Sequence, residues 1–142
     1  MISIAIVDSG PLVASANSAD PAHRSCLAAL QTPGFRLVIP ALCVAEAAYL
    51  IHSRRGPCTE AAFLRGLTGF DVQGPLAEDW GRISELIEQY ADLSLGATDA
   101  SVVALAKRFR TDLVITLDQR HFVVVQPRHY EHFQLLPKTI EE

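Results

Sequence analysis

The chain has 142 residues, 49% of them hydrophobic and 20% charged, with a formal net charge of −4. That length suits one domain, expected over residues 1–142, with a core of ordinary size, and the composition excludes a disordered or low-complexity protein. The longest apolar run, Val38 to Ile51, is too short to span a bilayer and contains Glu46, and the N-terminal apolar segment stops at Asp8 without a basic leader, so neither a membrane helix nor a signal peptide is expected.

In chain order, Ser3 to Val7 is a short β-branched run of the kind found in buried parallel strands. Gly10-Pro11 then opens a helix reaching about Ser18. Asp20-Pro21 reads as an N-cap followed by proline at the first helical position, starting a second helix that ends before Pro33-Gly34. Arg36 to Ile39 is the second strand, and Pro40 starts a helix to about Arg55, stopped by Gly56-Pro57. Thr59 caps a helix to about Leu67, and Phe70 to Gln73 is a short strand. From Pro75 onward Leu76, Trp80, Ile83, Ile87 and Tyr90 recur at helical spacing, with Glu78 and Asp79 in the first turn, where they suit the dipole. Asp99 to Phe109 is the next helix, Leu113 to Thr116 the next strand and Phe133 to Leu136 the last. Strands alternating with helices predict an α/β fold, a three-layer α/β/α sandwich around a central parallel sheet.

Four carboxylates stand against this apolar pattern. Ile2 to Val7 runs into Asp8, Glu46 is the one charge between Pro40 and Ile51, Asp99 opens the segment Ala100 to Ala106, and Leu113 to Leu117 runs into Asp118. None has a Lys or Arg three or four positions away. An ionised carboxylate in low dielectric costs several kcal/mol unless a positive group meets it, so four such positions point to a shared cation. Held by oxygens alone, that cation is of the Mg²⁺ or Mn²⁺ type. In parallel sheets, sites form outside the carboxyl ends of the strands, where strand order reverses. Asp8 and Asp118 follow strands directly, and the helices bearing Glu46 and Asp99 can begin at the same edge.

Plainer roles exist for each acid. Asp8 or Ser9 can cap the first helix, Thr98 or Asp99 a later one, and Asp118 can hold a turn with Gln119 and Arg120. Glu46 lies inside its helix among Leu42, Cys43, Tyr49 and Leu50, which leaves exposure on a solvent stripe as its alternative. Cys26, Cys43 and Cys58 are odd in number and form no CxxC pair, as expected for a reduced, cytoplasmic protein. The five histidines fall in no metal-binding pattern and read as surface or half-buried side chains. Ten of the twelve basic residues are Arg, the better partner for phosphate. They cluster at Arg54-Arg55, at Lys107, Arg108 and Arg110, and at Arg120 and Arg128, positions that also suit helix C-termini.

The segments VDSGPLVA, VAEAAYL, DLSLGATDASVVALA and TLDQRHF, in that order, resemble the PIN domain, and within it the VapC-type ribonuclease toxins of bacterial toxin–antitoxin pairs. The resemblance runs from Ile4 to about Leu136. It implies that Asp8, Glu46, Asp99 and Asp118 form the catalytic acidic quartet, with Ser9 and Thr116 as supporting hydroxyls and Asp92 as an additional acid. It implies Asp8, Asp99 and Asp118 as the principal ligands of Mg²⁺, with Mn²⁺ substituting, and Glu46 positioning water or a second ion. The expected activity is endonucleolytic cleavage of one phosphodiester in a structured RNA, a tRNA or ribosomal RNA loop, leaving 5′-phosphate and 3′-hydroxyl ends. A homodimer and a small antitoxin are the partners it suggests. Crowded acids without a metal would also repel one another, so that at least one takes up a proton near neutrality. A structure-specific DNA nuclease shares such a fold but adds helical arches for which 142 residues leave little room. A non-catalytic RNA-binding module would not need the intact quartet. A doubly wound phosphoryl-transfer enzyme would need a DxD pair or a phosphate loop, which Asp8-Ser9-Gly10 does not supply.

Overall fold

Four largely apolar runs and the short segment Asp71–Gln73 become the strands of one sheet in a computed structural model of the chain, which describes residues 2–130 and 132–138. These are β1 (Ser3–Val7), β2 (Phe35–Pro40), β3 (Asp71–Gln73), β4 (Leu113–Ile115) and β5 (Gln134–Leu136). Every pairing is parallel, in the order β3-β2-β1-β4-β5. Among the described residues the helices are α1 (Ser9–Ser15), α2 (His23–Leu30), α3 (Ala41–Arg55), α4 (Pro57–Gly66), α5 (Asp79–Gln89), α6 (Ala97–Arg108) and α7 (Gln119–Val124). Ala5, Ile6, Val7, Val38, Val114 and Ile115 are wholly buried, as strands covered on both faces must be. One group of helices packs α1 on α2 and α3, and α3 on α4, while α5 packs on α6. The expected α/β sandwich is what forms.

The topology creates the crevice. From β1 the chain steps outward to β2 and β3, then returns to the other side of β1 as β4 and β5, so strand order reverses between β1 and β4. Ile6 pairs with Val114 and Val7 with Ile115, and the Asp8 N–H then donates to the Ile115 carbonyl at 2.9 Å. Asp8 and Thr116 therefore leave the two central strands at the same level.

Local differences from the expected elements have identifiable causes. The second helix begins at His23: Asp20 Oδ1 accepts from the Ala22 N–H (2.8 Å) and its carbonyl from the His23 N–H (2.9 Å), so Asp20 closes a turn instead of capping. Gly56 ends α3 with φ +87°, and Pro57 is the first residue of α4, so the pair starts a helix as well as stopping one. The fifth helix starts at Asp79, leaving Leu76 and Trp80 exposed while Ile83 and Leu86 enter the core. Asp79 does more than meet the dipole. Its Oδ2 accepts from the Leu76 N–H (2.8 Å) and from the Arg108 guanidinium (2.6 Å), fastening α5 to α6. The sixth helix is buried from Ala100 to Ala106 without a break. Helix α7 was not foreseen; its six residues, Gln119 to Val124, are too few to show a period, and they follow what reads as a turn. No helix among the described residues is long and apolar enough to cross a membrane, and all three cysteines are unpaired.

Candidate active site

Four segments remote in sequence meet at the β1/β4 reversal. An open cleft of about 430 Å³ is lined there by Asp8, Ser9, Glu46, Asp99, Asp118 and Arg120, among others. All four expected acids thus share one cleft. Asp92 does not join them; it is exposed in the 3₁₀ turn Ala91–Leu93.

Asp8 is the deepest, at 3% exposure. It caps α1, with Oδ1 accepting from the Ser9 N–H at 2.8 Å, and Oδ2 accepts from the wholly buried Thr116 hydroxyl at 2.8 Å. The Cys43 thiol points at Oδ1 from 3.7 Å. Burial, followed by the Asp99 and Glu46 carboxylates, pushes the Asp8 carboxyl up from 3.8 to about 6, against the opposing pull of the Thr116 and Ser9 bonds. Proton uptake near neutrality thus falls on Asp8, with desolvation ahead of mutual repulsion as its cause. Burial and the same negative charge push the Cys43 thiol up.

Thr116 is a hub. Its Oγ1 donates to Asp8 and accepts the Asp118 N–H at 3.0 Å, tying the loop after β4 to the end of β1. Ser9 does the same for α3: its hydroxyl donates to Glu46 Oε2 at 2.8 Å. Glu46 is exposed, as its plainer reading allowed, yet it is held in register with the other acids. Gly10 permits the close approach of α1 to this loop, since a Cβ there would lie 3.2 Å from Leu117 Cβ.

The residue that sequence reasoning passed over is His121. Its Nδ1 lies 3.1 Å from Asp99 Oδ2 and 2.9 Å from Asp118 Oδ2, making it the sole ionisable partner of the quartet among the described salt bridges. Burial raises the Asp99 carboxyl, the His121 bond and charge lower it, and Asp118 and Glu46 raise it again, for a net upward shift. The signal was available as Asp118-x-x-His121, the i,i+3 spacing that juxtaposes side chains once residues 119–124 are helical.

These residues fit a divalent cation. No Lys or Arg is paired with any of the four acids among the described salt bridges. One ligand atom each from Asp99, Asp118 and His121 lie within 4.8 Å of one another. Adjacent ligands of an octahedral ion with bonds of about 2.1 Å stand about 3.0 Å apart, which the two His121 distances match. The available donors are therefore oxygens plus one imidazole nitrogen, not oxygens alone.

Residues 5–126 match the PIN domain family. The chain is 32% identical over 134 residues to ribonuclease VapC26 of Mycobacterium tuberculosis, covering 93% of this chain and 99% of that protein. Among solved structures it resembles M. tuberculosis VapC20, a sarcin-ricin loop cleaving toxin, with a TM-score of 0.70 at 18% identity over 78% of this chain and 86% of that one. It also resembles a chain of a toxin–antitoxin complex from Klebsiella pneumoniae, with a TM-score of 0.67 at 20% identity over 89% and 98%. The extent of the family match and the identity to VapC26 together make this chain a member of the PIN-domain family, in its VapC group.

Proposed function

We propose that the chain is a metal-dependent endoribonuclease and the toxin of a cytoplasmic toxin–antitoxin pair. The observation that carries this reading is the convergence of Asp8, Glu46, Asp99 and Asp118 on one open cleft, with the His121 imidazole bridging Asp99 and Asp118. Asp8, Asp99 and Asp118 would hold Mg²⁺ or Mn²⁺. When bound, such an ion neutralises the phosphodiester and makes water a competent nucleophile. Asp8 supplies a fixed carboxylate, held at both oxygens by Ser9 and Thr116. His121 holds Asp99 and Asp118 at one spacing, and Glu46, set by Ser9, faces the same cleft to orient water. Arg120, on the rim, is placed to meet a phosphate.

A structured RNA, a tRNA or ribosomal RNA loop, is the proposed substrate, in keeping with a structural neighbour that cleaves the sarcin-ricin loop. A small antitoxin is the proposed partner, in keeping with the Klebsiella complex, and the toxin is proposed to act as a homodimer. Purified protein incubated with total cellular RNA should cleave it with Mg²⁺ or Mn²⁺, leave it intact with chelator, and lose cleavage on Asp8→Asn. Cleavage by that variant at the wild-type rate would refute the assignment.

A further inference from the structure

A second charged cleft lies at the far end of α6. It measures about 860 Å³, and its lining brings five cationic side chains, Arg82, Lys107, Arg108, Arg110 and Arg128, against three carboxylates, in a chain whose net charge is −4. Helix C-termini favour positive charge, which accounts for Lys107 and Arg108 and leaves the other three unexplained. Arg108 is engaged by Asp79 at 2.6 Å and by the Gly74 carbonyl at 3.2 Å. Arg82 and Arg128 share a single carboxylate, Glu85, at 3.6 and 3.0 Å. Burial and then the Arg128 charge hold the Arg82 guanidinium below its ordinary pKa. Two guanidiniums kept this close, with one anion between them, leave positive charge unanswered. Lys107 and Arg110 have no acidic partner among the described salt bridges.

Arg110 adds an independent observation. Its φ is +51°, in the left-handed region. The Thr111 N–H donates to the Ala106 carbonyl (2.9 Å) and the Arg110 N–H to that of Lys107 (3.1 Å), the paired closure of a helix C-terminus at which glycine is the usual residue. An arginine here strains the backbone and sets a guanidinium on the rim of the cleft.

We propose that this cleft binds backbone phosphates of the RNA substrate, docking it at a distance from the acids. The identity of the polyanion rests on the ribonuclease reading; the site itself rests on the charges and the strained arginine. The clefts lie at opposite ends of α6, which carries Asp99 in its first turn and Lys107 in its last, about 12 Å apart along the axis. Because the helix between them is buried, an RNA that reaches both must run over the surface beside it.

The test is binding of a fluorescein-labelled RNA stem-loop to the full chain, by anisotropy, over a range of salt concentrations with chelator present to prevent cleavage. Arg110→Glu with Arg128→Glu should weaken binding about tenfold or more and reduce the salt slope by about 1.5, as for two phosphate contacts. Arg54→Glu with Arg55→Glu, the same change in charge at the end of α3, should weaken it much less. Arg110→Gly should raise the melting temperature, because the strain is gone, and still weaken binding. Unchanged binding in the cleft variants, or equal weakening in the control pair, overturns the proposal. RNA docked as described but never cut with Mg²⁺ or Mn²⁺ would sink the ribonuclease reading and leave the docking site. RNA cut normally, with binding indifferent to Arg110 and Arg128, would do the reverse.

Discussion

Replacing Asp8 by Asn should change the sign of its effect on stability between acid and neutral pH. The carboxyl titrates at about 6 in the folded protein against 3.8 without the fold. Between those values the folded state holds more protons than the unfolded one, so stability falls as pH rises and stays reduced above 6. Two pKa units at about 1.4 kcal/mol each make the penalty about 3 kcal/mol at pH 7.5. With Asp8 only 3% exposed, solvent screening takes little from this figure. Asn removes the charge but keeps one acceptor oxygen, so either Thr116 or Ser9 loses its partner, at about 2 kcal/mol whatever the pH. The variant should therefore be less stable than the wild type by about 1.5 kcal/mol at pH 4, where the wild type has begun to lose stability, and more stable by about 1 kcal/mol at pH 7.5.

Urea unfolding of both proteins in chelator across that range measures the difference. Parallel stability curves would refute the reasoning, because they would require an Asp8 that titrates at its ordinary value, as a well-solvated carboxylate does. Adding metal should reverse the ranking at pH 7.5. An ion at a hundred times its dissociation constant stabilises by about 2.7 kcal/mol, and Asp8→Asn should gain much less.

His121→Ala should lower affinity for Mn²⁺ by about 10–100-fold, since Asp99 and Asp118 lose the group that spaces them, and calorimetric titration would detect it. The loss should be greater for Mn²⁺ than for Mg²⁺ if the imidazole nitrogen is itself a ligand. Thr116→Val leaves Asp8 Oδ2 without a donor and the Asp118 N–H without an acceptor, at the base of the cleft. It should cost about 2 kcal/mol in urea unfolding and move the Asp8 titration upward, which the pH dependence of unfolding would report.

The sheet was legible because its strands, the edge strand Asp71–Gln73 apart, are largely apolar runs bounded by turn residues, and the acids because each opens, interrupts or ends an apolar run. Asp8 and Asp118 could be placed at one edge from strand polarity alone. What the sequence did not disclose depends on short elements and on packing. Helix α7 has six residues, too few to show a period, so the Asp118-x-x-His121 spacing stood in the sequence without the helix that gives it meaning. Asp20 stands before a helix and Asp79 at the start of one, yet Asp20 closes a local turn while Asp79 anchors Arg108, a partner far along the chain. In α5 the buried face is offset from the spacing read in the sequence: Leu86, which lies outside that series, is wholly buried, while Trp80 is half exposed. Of the basic clusters, the pairing of Arg82 with Arg128 joins residues too distant for any local pattern.

The acids are graded in depth, and the grading limits what the site costs the fold. Asp8 is nearly sealed, the Asp99 side chain is 18% exposed and that of Asp118 42%, and Glu46 is exposed outright. A carboxylate in contact with water keeps most of its hydration, so the penalty is concentrated in Asp8, the one acid that accepts both a backbone N–H and a buried hydroxyl. Folding and ion binding are then coupled through Asp8, while Glu46 contributes charge and position at little cost. Glu46→Gln should therefore shift stability by less than about 0.5 kcal/mol, and leave the fall in stability between pH 4 and 6 nearly intact, while reducing RNA cleavage. A flattened pH profile in that variant would mean that repulsion from Glu46, and not burial, raises Asp8, and the division of labour among the four acids would have to be redrawn.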